Sequence, residues 1–292
     1  MQMASSTGFS GPVPFKYEQH AREFQQLFPA ASEVLEGFRM QLQKSVSQSA
    51  THDFSTAHGI IMTANPRVPS EYSFGATYHT ATSMLMARMD TNGMILAQTK
   101  LPLDEGLSLE GVFQAAGPND FTAAELEWKG ADFVATLKTN SQLVFGTTYM
   151  QHLGKGVFAG VEGEYNAEER RSKLAYAARW EQKKDTVWSV EVQPQGAQGF
   201  AVQAGWFHRI GDRLTAGAQI NCIPGKRVAD GKIGYEYSFF HGRFRGCIDT
   251  DGKVQGVLEE KLNGAANFVL SADMNHSKNE YRFGIGLNMG GM

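Results

Sequence analysis

The sequence predicts an all-β fold: one closed, membrane-spanning barrel of antiparallel strands with an N-terminal α-helix. Three observations carry this. Apolar and polar residues alternate with a period of two from about residue 36 to the end of the chain. No second helical stretch interrupts the alternation, which argues against βαβ crossovers and a parallel sheet. The alternating region, cut into units of about 13 residues (a spanning strand of ~9–11 and a short turn), gives about 19 or 20 strands.

The opening "MQMASSTGFSGPVP" has neither the cationic start and apolar core of a secretory signal nor the Arg-rich character of a matrix-targeting peptide. Residues 1–15 are expected to form a flexible segment. In "FKYEQHAREFQQLFP", Tyr17, Ala21, Phe24 and Phe28 fall near helical spacing among Glu, Gln, Lys and Arg, and Pro29 supplies a stop. The spacing predicts an amphipathic helix over 16–28, within a helix-and-connection unit over 16–35. Residues 36–289 form the barrel and 290–292 a tail.

The strand signal recurs down the chain. Phe38, Met40 and Leu42 alternate with Arg39, Gln41 and Gln43; Tyr72, Phe74, Ala76 and Tyr78 with Ser73, Gly75, Thr77 and His79. The same holds for Leu214–Ile220, Ile233–Phe239 and Phe268–Met274. "MDTNG" (89–93) and "IDTDG" (248–252) carry the Asn-Gly and Asp-Gly pairs that favour tight hairpins. A soluble sandwich of so many strands would split into modules, yet no linker appears. Closing one barrel removes every sheet edge instead.

Bulk properties agree with this reading. The 292 residues carry 20% charged side chains and a net charge of −3, so no basic field is available to hold nucleic acid. A mean hydropathy of −0.32 suits a soluble protein, but a membrane barrel reaches similar values because alternation dilutes its apolar residues. Cys222 and Cys247 sit in no metal or redox spacing. Glycine, at 32 residues, is well above its average usage of about 7%, and much of it falls in the polar phase, as expected of a watery lumen.

Catalytic chemistry has no signature. The eight histidines are scattered without H-E-x-x-H or metal spacing, and no G-x-S-x-G or Cys/His pairing occurs. "GIGLNMG" has the wrong glycine spacing for a phosphate loop and no following helix. Asn275-His276-Ser277 matches a glycosylation sequon, read as incidental without a secretory signal. No catalytic residue, metal or cofactor is expected.

Five blocks, in order, resemble the channel-forming subunits of the protein translocase of the mitochondrial outer membrane, within the eukaryotic porin superfamily. They are "FKYEQHAREFQQLFP", "YSFGATY" (72–78), "KGADFVATL" (129–137), "FRGCIDTDGKVQGVLEEKL" (244–262) and "NHSKNEYRFGIGLNMG" (275–290). The resemblance implies a 19-stranded barrel with the helix inside the pore, and the odd count implies one parallel pair between the first and last strands. It implies an outer-membrane channel that conducts unfolded precursors bearing cationic presequences, with both termini in the intermembrane space. The implied partners are a single-helix receptor, small single-helix subunits and a second copy of the barrel, all in contact with membrane lipid.

A protein-conducting pore performs no bond chemistry and needs weak, distributed attraction for a cationic segment. Alternation assigns Glu110, Glu125, Glu127, Glu162, Glu164, Glu191 and Glu236 to the inner face, where they are expected to form an acidic track. The competing expectation is that inner carboxylates pair with Arg39, Arg179, Arg245 or Arg282 and simply solvate the wall. A metabolite channel of the voltage-dependent anion type is the alternative function; it favours a basic lumen, whereas the sequence pI is about 6.3 and acidic residues are expected to dominate the inner face. A soluble β-rich binding module is a third reading; release of the chain from membranes by alkaline carbonate would rule out an integral barrel.

The last strand, Tyr281–Met289, is oily on one face and nearly bare on the other. Resemblance to mitochondrial barrels implies a sorting signal there, made of Arg282, Gly284, Leu287 and Met289.

Overall fold

The computed structural model describes residues 15–30, 32–49, 51–63, 70–117, 120–182, 185–195, 199–264 and 266–290. The expected flexible segment lies outside these except for Phe15, which is buried, and the expected tail except for Gly290.

Nineteen strands follow one another: β1 Gly37–Gln48, β2 His52–Met62, β3 Glu71–Thr80, β4 Met84–Asp90, β5 Ile95–Asp104 and β6 Leu107–Ala115. Next come β7 Phe121–Lys129, β8 Phe133–Asn140, β9 Val144–Gly154, β10 Val157–Asn166, β11 Arg171–Gln182 and β12 Thr186–Pro194. The rest are β13 Phe200–Arg209, β14 Leu214–Ile223, β15 Val228–Ser238, β16 Gly242–Asp249, β17 Lys253–Asn263, β18 Ala266–Asn275 and β19 Glu280–Met289. Every sequential pair is antiparallel, and the sheet closes where β1 pairs with β19 in parallel, Phe38 opposite Ile285 and Leu42 opposite Met289. The odd strand count forces this seam: an alternating meander of odd length brings its ends together pointing the same way.

Alternation sorts the side chains as the sequence indicates. One phase holds exposed large apolar groups such as Tyr72, Phe74, Trp128, Tyr176, Trp188, Ile233, Phe283 and Ile285. A barrel with this apolar outer band and charged inner positions is built to stand in lipid. The tight Asn-Gly and Asp-Gly hairpins take a different form. Gly93 and Gly252 do adopt positive φ (81° and 76°), but within loops over 91–94 and 250–252. Asp90 Oδ1 accepts the Asn92 and Met94 amides at 2.9 Å. The aspartate closes the turn through its side chain, so no two-residue turn is required.

The expected helix over 16–28 is split. A 3-10 turn at Tyr17–Gln19 is followed by α1, Arg22–Leu27, and between them Ala21 leaves helical geometry (φ −114°, ψ 22°). The cause is tertiary. The His20 carbonyl, which a continuous helix would use internally, accepts from Arg179 Nη1 at 2.8 Å. Phe28 turns extended ahead of Pro29, ending α1 as expected.

Beyond α1 the chain crosses the seam. Leu35 donates its amide to Ser271 Oγ of β18 at 2.8 Å, and its carbonyl accepts from the same hydroxyl at 3.2 Å. It lies directly over Gly284 of β19, where any Cβ would collide with the Leu35 backbone; a Cβ on Gly286 would sit 2.9 Å from Leu35 Cδ1. Two residues later β1 begins. Residues 35–37 therefore form a strap from β18 over β19 to β1, and the bare face of the last strand is the notch that receives it. Gly284→Ala should displace this strap sterically, and Ser271→Ala should release it by removing two hydrogen bonds worth roughly 0.5–1.5 kcal/mol each. Both variants should unfold at lower denaturant than the parent in detergent-refolded barrels; unchanged midpoints would show that the strap does not stabilise the seam.

Candidate functional site

Inside the barrel, residues 15–30 and 32–35 touch strands from β6 round to β19, which is possible only for a segment lying against the inner wall. Three glycines seat α1. A Cβ on Gly205 (β13) would lie 2.5 Å from Phe24 Cζ, one on Gly217 (β14) 2.7 Å from Leu27 Cδ2, and one on Gly234 (β15) 2.9 Å from Phe28 Cε1. Alternation places these glycines in the polar phase, and water is the simplest occupant for bare positions there. The structure fills them with the apolar face of α1 instead. A glycine in the inner phase of three consecutive strands is the signal that could have located the helix seat. Phe24 and Leu27 are almost wholly buried, each contributing on the order of 1.5–3 kcal/mol.

Two wall arginines anchor the segment. Arg179 of β11, itself buried, forms a bidentate pair with Glu23, its Nη2 lying 2.6 Å from Oε1, while its Nε donates to Glu181 at 2.9 Å. Arg245 of β16, also buried, forks onto both Glu33 oxygens at 3.0 Å and donates to Glu259 at 2.6 Å and to the Gln26 carbonyl at 3.1 Å. Burial raises the pKa of Glu23 and Glu33, but hydrogen bonds and charge from Arg179 and Arg245 outweigh it and hold both carboxyls below their ordinary value. These arginines thus bind carboxylates outside the seven expected for the track.

The seven lie in the phase facing away from the exposed apolar side chains, in two groups and two outliers. Glu110 (β6) stands opposite Glu125 (β7), with Glu127 beside Ser108. Lys16 Nζ enters this triad, 2.7 Å from Glu125, 3.3 Å from Glu127 and 3.4 Å from Glu110, and Lys100 of β5 also pairs with Glu110. Glu191 of β12 lies 3.5 Å from the Tyr17 hydroxyl and 3.4 Å from His20 Nε2, and the charges of both Glu191 and Glu162 act on Tyr17. Glu164 pairs with Lys173, whereas Glu236 stands opposite Arg245 on the neighbouring strand without an ion pair among the described residues. Burial lowers the Lys16 pKa, but the Glu125 hydrogen bond and the charges of Glu125, Glu127 and Glu110 reverse this and raise it above its usual value. Burial is also the chief cause of a raised Tyr17 pKa, with Glu191 and Glu162 adding to it. Both groups keep their neutral-pH protonation.

The inner face is not dominated by acid. Lys100, Lys138, Lys173, Arg179, Lys232, Arg243, Arg245, Lys253 and Arg282 share it, and several stand directly opposite a carboxylate: Lys100 opposite Glu110, Lys138 opposite Glu125, Lys173 opposite Glu164 and Lys232 opposite Asp249. Arg282 stands opposite Asp273, Gly284 opposite Ser271, and Leu287 and Met289 face outward opposite Met40 and Leu42 of β1.

A closed barrel with an odd strand count, one parallel seam and a helix docked on a charged inner wall defines a pore of the porin class. The chain belongs to the eukaryotic porin family, whose model matches residues 13–284. The "Probable mitochondrial import receptor subunit TOM40-2" of Arabidopsis thaliana is 29% identical over 95% of this chain and 90% of that protein. The "Mitochondrial import receptor subunit TOM40 homolog" of Homo sapiens is 25% identical over 96% of this chain and 79% of its own length. Among solved structures, one described as "Asymmetric conductivity of engineered proteins" has a TM-score of 0.54 at 8% identity, covering 85% of this chain and 98% of the other, a likeness of fold alone.

Because the Glu23 and Glu33 pKa values are depressed on docking, the stability they confer is fully present above the ordinary glutamate pKa of about 4.3 and is lost as pH falls below it. A nitroxide at exposed Gln25 should report a mobile α1 in acid and an immobile one at neutral pH. Glu23→Gln should weaken docking by roughly 1.5–3 kcal/mol, seen as a mobile spectral component already at neutral pH.

Proposed function

We propose that this chain is a protein-conducting channel of the mitochondrial outer membrane, passing unfolded precursors with cationic presequences from the cytosol. The observation that carries the proposal is the near full-length similarity to proteins named as mitochondrial import receptor subunits. The clustering of Glu110, Glu125 and Glu127 on adjoining inner strands supports it physically: three half-buried carboxylates offer a cationic segment weak, distributed attraction, enough to guide it without trapping it. The metabolite-porin alternative is weakened by those names; the mixed inner charge by itself does not choose between the two. Within this reading the chain works with a single-helix receptor, small single-helix subunits and further copies of the barrel, with both termini in the intermembrane space.

The pore is tested by reconstitution in planar bilayers. Cation preference and voltage-dependent block by a basic presequence peptide are expected, with block weakened about three- to tenfold in Glu110→Gln/Glu125→Gln/Glu127→Gln. Anion preference without peptide block would favour the metabolite porin.

Arg282, Gly284, Leu287 and Met289 are read as an insertion address, because an unpaired last strand can join the sheet edge of an insertase by main-chain hydrogen bonds. Gly284 also seats Leu35, so its substitution alone is ambiguous. Ser271→Ala loosens the strap and leaves the residues of the last strand unchanged, removing from it only a long 3.5 Å contact to the Gly284 carbonyl. Failed membrane assembly of Gly284→Leu beside normal assembly of Ser271→Ala is the expected pattern; equal defects would assign Gly284 to the strap alone.

A further inference from the structure

The first described residues bind the wall in two ways at once. Phe15 and Tyr17 are buried in an apolar patch with Met150 (β9), Phe158 (β10), and Ala175 and Ala177 (β11). The Phe15 and Phe158 ring centroids are 4.7 Å apart, and the Arg179 guanidinium lies 5.3 Å from the Phe15 centroid. The intervening Lys16 points into the triad of Glu110, Glu125 and Glu127. Aromatic side chains on one side and a cation on the other are the chemistry of a cationic amphipathic segment.

This part of the segment is held differently from the rest. The bidentate arginine contacts fall on Glu23 and Glu33, beyond the break at His20 and Ala21. Phe15 to Gln19 meet the wall through the apolar patch, Lys16 in the triad, Glu18 on Lys138 and the Tyr17 hydroxyl beside Glu191, none of them a bidentate arginine contact. By contrast, α1 is anchored to Arg179 and Arg245 and seated on Gly205 and Gly217.

We propose that Phe15, Lys16 and Tyr17 are an internal competitor seated in a two-part receptor site, the apolar patch of Met150, Phe158, Ala175 and Ala177 beside the carboxylate triad, and that a cationic amphipathic segment entering the pore binds there by displacing them. This rests on the protein-conduction reading above. The competitor is tethered, so its local concentration is high, and the apparent affinity of an incoming segment falls by the fraction of time the site is vacated. The arrangement keeps Lys16 in the triad of the resting pore and reserves the site for a ligand that supplies both an apolar face and a cation. A small cation matches only half of the site.

The test is fluorescence anisotropy of a labelled Leu/Ala/Arg peptide that forms an amphipathic helix, titrated with the full-length barrel in nanodiscs. Lys16→Gln frees the triad and Phe15→Ala frees the apolar patch. Each should tighten peptide binding about three- to tenfold, an estimate from the occupied fraction of the site. Adding the three Glu→Gln substitutions should abolish the gain from Lys16→Gln. Parental or weaker affinity in both Lys16→Gln and Phe15→Ala, with binding still lost on removal of the triad, would overturn displacement and leave the conduction reading intact. Peptide binding indifferent to the triad would place the site elsewhere and also overturn it. Absence of peptide binding in the parent and in every variant would fail the conduction reading, and this inference with it.

Discussion

Hydrocarbon offers the peptide backbone no hydrogen-bond partner, and everything in this structure follows from satisfying that condition within one sheet. Nineteen strands exhaust one another's donors and acceptors only if the first meets the last, and an odd number makes that meeting parallel. Parallel pairing is slightly weaker per residue than antiparallel. The seam is also where the chain adds a second layer: Leu35 crosses over Gly284 and bonds to Ser271 just before β1 starts. The one parallel join of the wall and the docking of the inner segment are thus one piece of local structure.

The inner wall shows a division of labour between its charges. Arg179 and Arg245 are deeply buried by the segment they hold and face carboxylates of that segment as well as of the wall. Each guanidinium has several acceptors, the condition under which a desolvated cation is tolerated. The triad at β6 and β7 is the reverse case, three wall carboxylates around Lys16 of the inner segment and Lys100 of the wall. Anchoring and attraction therefore use opposite signs at opposite ends of the segment.

Much of this was legible in the residues. Period-two alternation sufficed to place all seven glutamates, from Glu110 to Glu236, in the inner phase, because one face of each strand must be apolar and a strand cannot slip by one residue without exposing it wrongly. Other features were not legible. The split of the helix depends on a guanidinium 159 positions away claiming the His20 carbonyl, and helical spacing holds no trace of so distant a contact. Gly284 reads as part of a bare face because a glycine reports the absence of a side chain and not what fills the space. The pairing of Lys16 with Glu125 joins residues 109 apart, and only the closed barrel brings them together.

The parallel seam has a consequence for the making of the molecule. Each hairpin can form as soon as its two strands exist, but β1 keeps an open edge until residues 280–289 are in hand. Loop closure across the whole chain adds an entropic cost that grows only slowly with length, so timing and not energy is the obstacle. Closure therefore reads the completeness of the polypeptide: a chain that lacks its final strand presents two raw edges to any sheet-binding machinery, and a whole one presents none.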